Sequence, residues 1–106
     1  MTALERFVRS VDALFGSLGM TATYIPVHGA NAVVAVVPKR PDQIIGIEQS
    51  EVMAEVTLFD LRVSEVALPK ADDVILYNGE QYRLIGEPRR DIHRLIWTVE
   101  AVLYAA

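Results

Sequence analysis

Asp72-Asp73-Val74-Ile75-Leu76-Tyr77-Asn78-Gly79-Glu80-Gln81-Tyr82-Arg83-Leu84-Ile85 reads as a strand, a two-residue turn and a returning strand. Asn-Gly between apolar runs is the strongest short-range hairpin signal, because a type I′ turn needs positive φ at both central residues. Gly reaches that region at little steric cost and Asn tolerates it. In this register Tyr77 pairs with Glu80 and Ile75 with Tyr82, so the four side chains share a face and the two tyrosines are diagonal neighbours. Leu76, Gln81 and Arg83 point the other way. A second turn is expected over Glu87-Pro88-Arg89-Arg90-Asp91, after which Leu95 to Tyr104 returns as a third strand. Such a meander is about the smallest sheet that is stable in water with one face buried.

Upstream, residues 2–18 predict an amphipathic helix. Leu4, Phe7, Val8, Val11, Leu14, Phe15 and Leu18 recur at three- and four-residue spacing and make one apolar stripe. Thr2 with Glu5 forms a capping box, and Gly16 or Gly19 ends the helix. Met20 to Ile25 is the first strand, stopped by Pro26, and Val27 to Asn31 is a turn. Ala32 to Val37, a Val-rich apolar run, predicts a strand covered on both faces. Pro38 to Asp42 reads as a loop and opens an insertion, Pro38 to Ser50, that holds Ile44-Ile45-Gly46-Ile47 and is expected to be mobile. Glu51 to Val63 is a long strand, and Ser64 to Leu68 a single helical turn. One helix and five or six strands give a mostly β class. The expected architecture is a small antiparallel sandwich or a partly open barrel, one domain over residues 1–106.

Composition narrows the function classes. The net charge is −4, from 14 acidic and 10 basic residues, which disfavours a sequence-independent nucleic-acid binder. Lys39-Arg40 and Arg89, Arg90 and Arg94 are local basic clusters within that acidic total. There is no cysteine, hence no disulfide frame and no thiolate metal site. Glu5, Arg6, Arg9 and Asp12 interrupt any leader-like apolar run, and no segment approaches the ~18 apolar residues of a membrane helix. A soluble protein made in the cytoplasm is expected. An apolar fraction of 52% is high for so short a chain and points either to a rich core or to a surface that meets a partner.

No catalytic pattern emerges. His28 and His93 both neighbour turn residues and lack ligand spacing. Asp72 and Asp73 precede a strand, where Asp commonly binds nearby backbone. The glycines are scattered, and the serines have no nucleophile elbow. Trp97 reads as core. The tyrosines lack a cation on their own face, so a single-strand nucleic-acid platform is disfavoured.

From about Glu55 onward the chain resembles the head-to-tail joining proteins of tailed bacteriophages, the lambda-type tail-attachment and stopper group. The residues that carry the likeness are Ser64-Glu65-Val66, Pro69, Asp72 or Asp73 opening a strand, Asn78-Gly79, Tyr82-Arg83-Leu84-Ile85, Asp91 and the final apolar strand. Ala71 stands where such proteins often carry Gly. The resemblance implies a non-enzymatic subunit without cofactor that forms a ring with itself, typically six-fold, at the head–tail interface of the virion. Its implied partners are the portal or its adaptor on one side and the tail tube or tail terminator on the other, with no membrane and at most non-specific contact with packaged DNA. The free subunit is expected to be monomeric until it meets the portal complex. The contacts expected are Phe7, Val11 and Phe15 on the helix, and Lys39, Arg40, Ile44, Ile45 and Ile47 in the insertion. A tail-terminator ring is one alternative, and a small cytoplasmic β-barrel that binds other proteins is another.

Overall fold

Thr2 and Glu5 start the one helix among the described residues as their spacing predicts. The Thr2 hydroxyl oxygen accepts from the Glu5 N–H at 3.1 Å, and Glu5 Oε1 accepts from the Thr2 N–H at 2.8 Å. The computed structural model describes residues 2–39 and 56–103, and the helix, α1, spans Ala3–Leu18. Gly19 closes it by donating to the Phe15 carbonyl at 2.9 Å. A Cβ at Gly19 would lie 2.3 Å from that carbonyl oxygen, so a larger residue would break the cap.

Among the described residues six strands follow: β1 (Met20–Ile25), β2 (Ala32–Lys39), β3 (Val56–Arg62), β4 (Val74–Tyr77), β5 (Glu80–Arg90) and β6 (Ile96–Leu103). They form an antiparallel closed barrel in the order β1-β2-β3-β6-β5-β4. Of the two expected architectures the barrel is found, and it closes fully. The closing seam is β1 on β4, through Thr23↔Leu76, Tyr24↔Ile75 and Ile25↔Val74. Closure leaves no sheet edge along that seam.

The deciding hairpin has the register read from its turn, Tyr77↔Glu80 and Ile75↔Tyr82. Asn78 and Gly79 have φ of 55° and 81°, as a type I′ turn requires. Phe59, Leu61, Ile75, Leu84, Val36 and Val99 fill the barrel. Tyr77 and Tyr82 meet the Phe59 ring edge-on, with centroids 5.8 and 5.2 Å away. Trp97 is core, as expected.

Three expectations are corrected. Of the turn placed at Glu87–Asp91, Glu87 to Arg90 are strand, and the reversal comes later, at Asp91–Leu95. Between Ile85↔Glu100 and Arg89↔Thr98, residues Gly86, Glu87 and Pro88 oppose Val99 alone, with Gly86 at φ 70°. Pro88 therefore sits in a bulge, where a missing N–H is tolerated. Pro38 likewise does not end β2, which continues through Lys39. The Ala35 N–H points to the β3 side, toward Glu65, so by alternation Pro38 faces the β1 side. There β1 has already ended, at Met20↔Val36. Finally, β2 is not covered on both faces throughout, since Val33 is 72% exposed. The Arg40–Ser50 part of the insertion and the first five residues of the long strand lie outside the described residues.

Candidate functional site

The helix is held against the barrel's outside by a few side chains. Phe15, mid-stripe and buried, packs against the Arg62 guanidinium, whose carbon lies 5.3 Å from the ring centroid. Arg62 also pairs with Asp12 and Glu65, each at 3.1 Å. Further toward the helix N-terminus, Phe7 stacks on His93 with centroids 3.8 Å apart. The helix thus runs from β2, where Gly19 lies near Ala35, past the end of β3 to the β5–β6 turn.

That attachment covers only part of the apolar stripe. Leu4, Phe7, Val8, Leu14 and Leu18 are 38–58% exposed, whereas Val11 is half-buried. Phe15 does not belong to the barrel's core cluster, which is complete without the helix. The three helix contacts expected from the sequence therefore divide: Phe15 anchors, Val11 lies between, and Phe7 is available on one side.

Next to Phe7, the β5–β6 turn is shaped by Asp91. Its Oδ1 accepts from the Leu95 and Ile96 N–H groups at 2.7 and 2.9 Å, and its Oδ2 from His93 N–H at 3.3 Å. Burial works against the Asp91 charge, but these donors outweigh it and hold the carboxyl below its ordinary range. Arg94 adopts φ 59° in this turn, and Ile92 at its tip is 88% exposed. Arg89, Arg90 and Arg94 are exposed here, and Arg90 lies over the Trp97 ring at 4.5 Å. Among the described residues none of these three cations, nor Arg9, forms an ion pair.

Lys39, expected as a loop cation, ends β2 and binds the buried Asp60 at 2.7 Å. Arg40, Ile44, Ile45 and Ile47 lie outside the described residues. His28 lines a cleft of about 410 Å³ with Lys70 and Asp73. Asp73 is committed to structure there: it accepts from the Tyr24 hydroxyl, from Val27 N–H at 2.9 Å and from Lys70 N–H at 3.0 Å. Burial first, then the hydrogen bond and charge of Asp73, push the Tyr24 phenol far above its usual range, so it stays a donor. This long-range pair was missed in the sequence because nothing local marks two residues 49 apart. Among the described residues no three His, Asp or Glu side chains gather as metal ligands, and no helix is long and apolar enough to cross a membrane.

Comparison with curated proteins and with solved structures finds no match. The barrel carries its amphipathic helix lightly held on the outside, with much of the apolar stripe uncovered. The family model described as Phage Head-Tail Attachment protein matches residues 1–101, and the chain belongs to that family.

Proposed function

We propose that this chain is a structural subunit of the virion at the head–tail joint of a tailed phage, a prophage or a phage-derived gene transfer agent. It forms a ring, typically six-fold, between the portal or its adaptor and the tail, and helps retain the packaged DNA. The observation that carries this reading is the family match across residues 1–101. The uncovered apolar face of α1 supports it, because a small domain exposes such a stripe where another surface will cover it. A ring needs heterologous contacts, so each subunit must carry two different patches. The helix face is one, and the segment after Lys39 supplies the other. The reading is of a protein that works by shape, without cofactor or reaction.

Deleting the gene from a producing host tests it. DNA-filled heads and finished tails should accumulate unjoined, and added purified protein should join them. Joined, infectious particles without the protein would overturn the reading. Protein found on isolated tails and absent from heads would move it to the tail terminator.

A further inference from the structure

The Phe7–His93 stack does more than hold the helix down. It sets the exposed start of α1, with Leu4, Phe7 and Val8, beside the β5–β6 turn, whose tip carries the exposed Ile92, and this corner of the molecule is rich in uncovered apolar side chains. A shallow depression of about 560 Å³ runs along Leu4, Glu5, Val8 and Arg9. The corner's rim carries three exposed cations without ion pairs among the described residues, Arg9 on the helix and Arg89 and Arg94 around the turn. Against them stand the exposed acids Glu5, which is engaged in the helix cap, and Glu87. An apolar centre with a cationic rim selects an apolar segment that carries acids. The chain has such a segment. Ile44-Ile45-Gly46-Ile47 is followed at once by Glu48, then Glu51 and Glu55, and across 40–55 these acids and Asp42 face a single cation, Arg40.

We infer that the corner is the seat for residues 44–51 of a second copy of this chain, so that one subunit's acidic segment docks on its neighbour's basic apolar corner. The two patches differ and lie on one chain, so the contact is heterologous and repeats until the ring closes. This inference rests on the ring reading above and names the surfaces that would build it.

Cysteine pairing in assembled particles tests it, because the chain has no cysteine of its own. Particles are made with Ile92→Cys and Ile47→Cys in one chain, and with each change alone, then oxidised mildly. Leu4→Cys with Ile45→Cys serves as a second pair should the first fail to assemble. The expected result is a ladder of covalent dimers, trimers and larger species from the double variant, and monomers only from each single variant. Dimers from Ile92→Cys alone would mean that the corner meets its own symmetry mate, and would overturn the inference. A faster-migrating monomer from the double variant would mean that the segment folds onto its own corner, which overturns the inference equally. Joined particles that contain the double variant but show no link would also refute it, while leaving the ring reading standing. Particles that contain no copy of the chain would instead refute the ring reading itself.

Discussion

Asp73 shows how much of the barrel's end depends on one carboxylate. It is 3% exposed and answers three donors, two of them backbone N–H groups in separate loops. Asp73→Ala would strand the Tyr24 hydroxyl and both amides, at a cost of roughly 3–5 kcal/mol, as when one partner of a buried charged network is removed. Tyr24→Phe removes a single donor and should cost about 1–2 kcal/mol. Urea unfolding of both variants checks the ranking, and an equal loss would mean that the loops hold without the carboxylate. Asp91 is the second such residue, and its carboxyl sits low in the folded state. A depressed folded pKa gives stability that is present above the unfolded value, near ~3.9, and is lost as pH falls through the folded one. Asp91→Asn should therefore lose about 1 kcal/mol at neutral pH and converge on the parent in strong acid. Parallel stability curves from neutral to acid pH would show that the charge contributes nothing. The sequence held half of this: Asp before a strand predicts acceptance from nearby backbone, as Asp73 shows with the Lys70 N–H, but the Tyr24 link depends on β1 reaching β4 at closure.

The helix and the hairpin mark the limits of sequence reading at the next scale. Asn78-Gly79 fixes its pairing register because the turn type and the two-residue side-chain period leave one solution. The helix was equally legible from its stripe and cap, yet periodicity says only that a face is apolar, never what covers it. Here Phe15 and Arg62 cover one part, and Phe7 stacks on a histidine while staying 40% exposed. The prolines misled for a related reason. Pro38 and Pro88 argue for loops locally, but each falls where a strand has lost a neighbour or bulges, which only the sheet's order reveals. An expected outcome separates the helix from the barrel energetically. Phe59→Ala, in the middle of the core, should cost about 3–5 kcal/mol. Phe15→Ala should instead free α1 alone, since Phe15 lies outside the core cluster. Hydrogen exchange should then show loss of protection confined to residues 3–18, with the barrel amides unchanged. Collapse of barrel protection in Phe15→Ala would make the helix part of the cooperative fold.

For the whole molecule, the arrangement of charge matters more than its total. The net charge of −4 hides a basic end, where Arg89, Arg90 and Arg94 surround the β5–β6 turn beside the start of α1. Lys39 and Val56, which flank the acid-rich 40–55 segment, lie instead at the far end of β2 and β3 from that turn. A basic end and an acid-rich stretch of sequence on one subunit favour ordered, head-to-tail contact between copies and disfavour like-on-like pairing. Such contacts should respond to salt. Raising ionic strength from about 0.05 M to about 0.5 M shortens the screening length from roughly 14 Å to roughly 4 Å. A few rim pairs contribute roughly 0.2–1 kcal/mol each at low salt, so assembly into the proposed ring should weaken on the order of tenfold over that range. Arg94→Glu should weaken assembly at low salt and flatten its salt response, whereas Arg83→Glu, on the hairpin away from the turn, should leave the salt response in place. Light scattering of the assembling protein with portal complex across a salt series measures both. Assembly that strengthens with salt in the parent chain would assign the contact to apolar burial alone and remove the basic rim from it.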